Sequence, residues 1–386
     1  MSWSTVRADQ FCTLITDGTH DSPKPQQSGW KLITSKHLKG HYIDFDSANW
    51  ISEADYLKVI SRSAVEQWDI LFSMIGTIGN IYLEKNPHVE YACKNMGIFK
   101  FSGNKENALW MYYYLKSPQA KAYIQTHLRG STQAYVPLGG LREMPVPVPP
   151  QSVRNEIIAV LRPIDEKIEC NNAINDNLQQ QAAALFSSLY DRSNTEVGFT
   201  DLIQILGGGT PKTGENTYWN GNIAFFTPKD VGTPYTLITE KTISKEGLSH
   251  CNSRLYPVNT VFVTARGTVG KVGMSGVPMA MNQSCYALVG KETQQLLVYF
   301  YTLKAVDRLK HKASGAVFDA ITTRDFESEQ IMKLSDDDAT AFLCVAEPMF
   351  QAVLNNNIEN LRLSTLRDSL LPKLMSGEID VSDVQL

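Results

Sequence analysis

The chain has 386 residues, 43% of them hydrophobic and 20% charged, with a formal net charge of −4. This excludes a wholly disordered chain, and domains of about 100–200 residues would number two to four. No apolar run approaches the roughly 18–20 residues that span a bilayer, and MSWSTVRADQ shows no secretion signal, so a cytoplasmic location is expected, with Cys12, Cys93, Cys170, Cys251, Cys285 and Cys344 as free, mostly buried thiols.

Taken in chain order, the first elements are a polar loop, DGTHDSPK (17–24), and an apolar run, LITSKHL (32–38). DILFSMIGTIGNI (69–81) reads as a strand entering a Gly-Thr-x-Gly turn, and IYL and GIFKF read as further strands. A helix is expected over 108–126, then a polar loop in RGSTQAYVPLGGL (129–141). MPVPVPPQS (144–152) is an extended run that no helix crosses.

From 152 to 191 there is no Gly and one Pro, Pro163. Leu161, Ile164, Ile168, Asn171, Asn175, Leu178, Ala182, Leu185 and Leu189 recur at alternating spacings of three and four, the stripe of a coiled coil.

The same plan then returns. GGTPK (208–212), FFTPKDV (225–231), TVFVTARGTVGKV (260–272), a helix over 292–310 and SGAVFDAITTRDF (314–326) match the parts above in order, at an offset drifting from 191 to 185. A second helix over 336–376 carries Pro348 in the place of Pro163 and a looser stripe: Ala346, Met349, Val353, Asn356, Asn360, Leu363, Arg367, Leu370 and Leu374. Asn171/Asn175 and Asn356/Asn360 fall at matching seam positions, where a buried amide fixes register. The two prolines are expected at a first helical turn or a kink.

The expected fold is therefore two copies of a mixed α/β (α+β) globular domain, each followed by a long helix. The helices are expected to pair as an antiparallel coiled coil, giving an internal pseudo-two-fold repeat. The boundaries are a first domain at 1–150, a helix at 151–194, a second domain at 195–334, and a helix with tail at 335–386. Their formal charges are +2, −2, +2 and −6. Basic heads alternating with acidic helices suggest a polyanion partner.

No catalytic constellation appears. GTVGKV (267–272) is not a P-loop, because position 265 is Ala and Lys271 is followed by Val272. No G-x-G-x-x-G follows a strand, no G-x-S-x-G elbow is present, and the seven histidines form no HxxxH or HExxH spacing. The expectation is a binding and scaffolding protein, with no catalytic residue and no metal or cofactor of its own.

The order of repeated parts, with PVPVPPQSVRNEIIAVLRPIDEKI (145–168) and SLLPKLMSGEIDVS (369–382), resembles the specificity (S) subunit of type I restriction–modification enzymes over essentially the whole chain. Two features depart from that pattern: the second lead-in reads EQIMKLSDDDATAF (329–342), and no helical arm precedes the first domain. The resemblance implies a non-catalytic, DNA-binding subunit whose two target recognition domains each read half of a split target. The helices would space the half-sites and dock two methyltransferase (M) subunits that bind S-adenosylmethionine. Restriction (R) subunits would join, with ATP and Mg belonging to partner subunits, and the assembled complex would methylate adenine and cut DNA.

Phosphate contacts are expected from Lys24, Lys36, Arg129 and Ser131 in the first domain. In the second they are expected from Lys212, Lys229, Lys271, Lys312 and Arg324. Gln133 and Arg266 suit base edges, Gln for adenine and Arg for guanine. Two other readings stay open: a specificity subunit serving a modification-only methyltransferase, and a coiled-coil scaffold with protein-binding heads.

Overall fold

The structure is a computed structural model and describes residues 3–40, 42–232, 234–312 and 320–381. Residues 314–319 of the second polar loop, and Ser382 at the end of the C-terminal run, lie outside the described residues. The chain divides into two compact units, residues 1–169 with 363–386, and residues 170–362. The boundaries expected at 150, 194 and 334 fall at the ends of helices and strands, but they do not bound these units. Each long helix contributes one part of its length to each unit.

In the first unit an antiparallel sheet runs, in spatial order, Leu14–Asp17, Met96–Lys100, Ile70–Ser73 and Ile81–Leu83. A smaller sheet centres on Trp30–Ile33, antiparallel to Asn49–Ile51 and parallel to Tyr91–Cys93. The strands Ile70–Ser73 and Tyr91–Cys93 are buried throughout, which accounts for their continuous apolar sequences.

The helix expected over 108–126 is two helices, Lys105–Lys116 and Pro118–Thr126. Pro118 has no N–H to continue the first helix, and Ser117 caps the second by accepting from the Ala120 N–H. Residues 108–115 are all buried, the mark of a helix enclosed on every side.

The second unit repeats this plan. Its larger sheet runs Ile203–Gly207, Cys285–Gly290, Val261–Thr264, Val272–Ser275 and Tyr235–Thr236. Its smaller sheet centres on Trp219–Phe226, antiparallel to Lys241–Ile243 and parallel to Met279–Met281. The core helix is Gln295–Lys312.

Each unit is also closed alike. Ser4–Arg7 pairs antiparallel with Pro145–Val148, and Thr195–Gly198 with Gln330–Lys333. The second lead-in has lost its prolines yet keeps the strand. Ser335 replaces them as a cap, accepting from the Asp338 N–H at 3.1 Å, and three aspartates follow where the helix dipole favours them.

The long helices are Gln151–Asp191 and Asp336–Ser376, 41 residues each. Pro163 and Pro348 both stand in the helix interior, twelve residues past the start, not in the first turn. Within each unit the two helices run antiparallel. In the first unit Ile157, Ile158 and Leu161 share a core with Leu371, Leu374 and Met375. In the second, Ala182, Phe186 and Leu189 share one with Phe342, Ala346, Phe350 and Val353.

Also in the second unit, the Asn171 side-chain N–H donates to Glu359 at 2.8 Å and to Asn360 at 2.9 Å. Asn175 donates to Asn357 and accepts from Asn356, and Asn360 donates to Asn172. Ile164, Ile168, Leu178, Leu185, Met349, Leu363 and Leu370 are half-buried along the same faces. Of the cysteines, Cys12, Cys93 and Cys285 are buried and Cys251 is half-buried, but Cys170 and Cys344 are exposed on the long helices.

Candidate nucleic-acid interface

The loops at one edge of each larger sheet are bound together by the same hydrogen bonds in both units. The turn after Ile70–Ser73 places Gly76 and Gly79 at φ +77° and +89°, and the turn after Val261–Thr264 places Gly267 and Gly270 at +84° and +74°. These left-handed conformations favour glycine, which explains the repeated Gly-Thr-x-Gly. Between the glycines the threonine reaches a neighbouring turn. Thr77 Oγ1 donates to the Ser35 carbonyl at 3.5 Å, and Thr268 Oγ1 to the Pro228 carbonyl at 3.2 Å.

That neighbouring turn carries Lys36 in one unit and Lys229 in the other, each three residues past the central strand of its smaller sheet, and both are exposed. On the other side the chain returning from the polar loop is tied to the same turn. The Val136 N–H donates to the Met74 carbonyl, and the Ile321 N–H to the Ala265 carbonyl, both at 2.9 Å. Arg266 is exposed and paired through its backbone with Ala320.

The remaining candidates divide. Arg129 opens a tight loop closed by paired backbone bonds with Tyr135, at 2.9 and 2.8 Å, and Ser131 and Gln133 are exposed within it. Lys24 and Lys212 are exposed in the loops that follow Leu14–Asp17 and Ile203–Gly207. Lys271 is exposed just after the second Gly-Thr-x-Gly turn, and Arg324 on the short helix Thr323–Glu327.

Lys229 has a loose partner, with Glu240 at 3.6 Å. Lys312 is different. Its ammonium bonds the carboxylate of Glu329, which is fully buried and also bound by Arg308 at 2.9 Å. Lys312 thus ties the end of its helix to a buried carboxylate, an engagement that the exposed lysines above lack.

A further pair of segments, absent from the sequence candidates, lies at this edge. Lys94 and Asn95 follow the strand Tyr91–Cys93, and Asn282 and Gln283 follow Met279–Met281. The Lys94 N–H donates to the Ile33 carbonyl and the Asn282 N–H to that of Phe226, at 2.9 and 3.0 Å. Aligning the strands YAC and MAM could have revealed them, since each is followed by two polar residues.

Among the described residues no group of three or more His, Cys, Asp or Glu side chains is placed to hold a metal ion, and no helix is long and apolar enough to cross a membrane.

The model of the type I restriction modification DNA specificity domain matches residues 3–180 and again residues 194–333. The chain belongs to that family. It carries the specificity domain twice, as its internal repeat requires. The type I restriction enzyme HindI specificity subunit of Haemophilus influenzae is 22% identical to it over 415 residues, covering 85% of this chain and 90% of that one. The EcoR124I/EcoR124II specificity subunit of Escherichia coli is 26% identical over 211 residues, 51% of each chain. In three dimensions the fold is similar to that of the type I restriction–modification S subunit from M. genitalium, with a TM-score of 0.57 at 14% identity over 97% of this chain and 96% of that one.

Proposed function

We propose that each unit reads one half of a split duplex DNA target through the loop edge described above. The observation that carries this reading is the duplicated edge itself. Matching lysines and otherwise differing side chains, such as Lys94-Asn95 against Asn282-Gln283, are mounted on the same backbone bonds in both units, as expected where a fixed scaffold carries variable recognition. Lys36, Lys229, Lys24, Lys212, Arg129, Ser131, Lys271 and Arg324 would contact phosphates and fix the pose, while Gln133 and Arg266 would reach base edges.

The paired long helices would set the gap between half-sites and dock two methyltransferase subunits. Those partners would bind S-adenosylmethionine and methylate adenine, and restriction subunits would bring ATP- and Mg-dependent cleavage. The chain itself would supply recognition and no chemistry, in the cytoplasm.

Methylation sequencing of the native host, with and without this chain, tests the reading. A split motif methylated only when the chain is present is the expected result. Identical methylation in both strains, or a motif without a gap, would overturn it.

A further inference from the structure

In both units a side chain from the loop after the first sheet strand bonds the amide carbonyl of a residue across the edge. His20 stands three residues past Leu14–Asp17, and Thr210 three residues past Ile203–Gly207. Asn95 stands two residues past Tyr91–Cys93, and Gln283 two past Met279–Met281. His20 donates from both ring nitrogens, Nε2 to Asp17 Oδ2 at 2.8 Å and Nδ1 to Asn95 Oδ1 at 2.9 Å, and the Thr210 hydroxyl donates to Gln283 Oε1. The residues differ in type, yet the pairing is between the same two places in each unit.

The bond fixes what each amide offers. Its carbonyl is engaged within the protein, so the N–H2 group is the part left to face a ligand. An amide N–H2 donates to acceptors, and the major-groove edge of every base pair carries them: N7 and O6 of guanine, N7 of adenine, O4 of thymine.

Backbone conformation does not explain why both places hold an amide. Asn95 has φ +54°, which asparagine tolerates, but Gln283 is not among the residues of positive φ. The setting also suits a reading group, since the backbone N–H one residue earlier is tied to the strand that leads into the exposed Lys36 and Lys229 turns.

We propose that Asn95 and Gln283 are base-reading residues, one for each half-site, and that His20 and Thr210 are positioning residues that orient their amides. The assignment rests on the DNA-reading role proposed above.

The test is methylation sequencing of the native host with variants replacing the wild-type chain. Asn95→Gly keeps the left-handed backbone and removes the amide. It should relax one position of one half-site, with discrimination there falling about 5- to 150-fold, and leave the other half-site intact. Gln283→Glu keeps an acceptor for Thr210 and exchanges the outward donor for an acceptor. It should change the preferred base at one position of the other half-site, because a carboxylate accepts from the amino group of cytosine or adenine. His20→Ala and Thr210→Val should relax the same single positions.

An unchanged motif in the Asn95 and Gln283 variants overturns the assignment, as does a loss of methylation that spares neither half-site. Absence of a split motif in the wild-type host would overturn the specificity reading itself, and so is told apart from failure of this assignment.

Discussion

Arg367 Nη1 lies 2.7 Å from Asp165 Oδ1, joining the two long helices of the first unit through a mostly buried ion pair. Lys116 approaches the other carboxylate oxygen at 3.2 Å. Both long helices repeat at an offset of 185, which makes Phe350 and Ala182 the counterparts of Asp165 and Arg367 in the second unit. There both are buried in an apolar core with Phe186 and Phe342. At this matched position the first unit has an ion pair where the second has apolar packing.

The charged end should be sensitive to acid. Burial alone would push the Asp165 carboxyl up, but the Lys116 ammonium and the Arg367 guanidinium more than reverse this and hold it below the ordinary carboxylate range. A carboxyl lowered in the folded state contributes stability above its unfolded pKa and loses it as pH falls toward the folded value. Asp165→Asn should therefore melt well below wild type at pH 7, and the gap should narrow as pH drops below about 4. Arg367→Met should cost about 3 kcal/mol at neutral pH, since it leaves a buried carboxylate short of a partner. Thermal melts at pH 7 and pH 3 measure both, and a gap that widened in acid would contradict the assignment.

The amide cluster of the second unit makes a prediction opposite to the one a simple seam would give. Two isolated seam asparagines could be exchanged for leucine with a gain in stability. Here Asn175 serves both Asn356 and Asn357, and Asn360 serves both Asn171 and Asn172. Asn175→Leu with Asn360→Leu takes a hydrogen bond from each of four other amides, of which Asn171 is buried and keeps Glu359, and a buried polar group that loses its bond costs about 1–3 kcal/mol. The double variant should melt below wild type, as differential scanning calorimetry would show.

Much of this fold was legible because the chain states it twice. The Gly-Thr-x-Gly turns, the apolar strands leading into them and the three-four spacing from Leu161 to Leu189 each have a local physical cause, so short windows of sequence reveal them. What escaped depends on pairing at a distance. Asp165 and Arg367 are 202 residues apart; Asp165 lies beside the first apolar stripe and Arg367 stands within the second, so hydrophobic period passes over the first and finds the second without its partner. His20 and Asn95 are 75 residues apart, and nothing local marks either as paired. Lys312 reads in the sequence as a free cation because the buried Glu329 that holds it lies 17 residues on, beyond any local window. The break at Pro118 is a local signal, hidden by helix-forming residues on both sides.

The exposed lysines and Lys312 should separate in binding measurements. Lys36→Ala and Lys229→Ala should weaken binding to all duplexes alike and reduce the dependence of log K on log salt by about one each. The Glu240 partner of Lys229 is exposed and should change this little. Lys312→Ala should leave the salt dependence alone and lower the melting temperature, because it takes a cation from a buried carboxylate. Filter binding at several salt concentrations, alongside melting curves, gives both numbers for each variant. A reduced salt slope for Lys312→Ala would return it to the DNA surface.

The last prediction concerns the gap between half-sites. If the paired long helices set it, both must be lengthened together, because each unit packs a stretch of one helix against a stretch of the other. Four residues added to one helix alone, after Gln181, would advance Ala182, Phe186 and Leu189 by about one turn, roughly 6 Å, against Phe342, Ala346 and Phe350. That variant should lose stability and methylation together. Four residues added to both helices, after Glu169 and after Arg362, fall where the compact units divide and leave both cores intact. They extend each helix by about 6 Å, which at about 3.4 Å per base pair along each strand is one or two base pairs of DNA. The methylated motif of the doubly extended chain should keep both half-sites and widen its unspecified gap by that amount. Methylation that persisted at the original gap would show that the helices do not measure it.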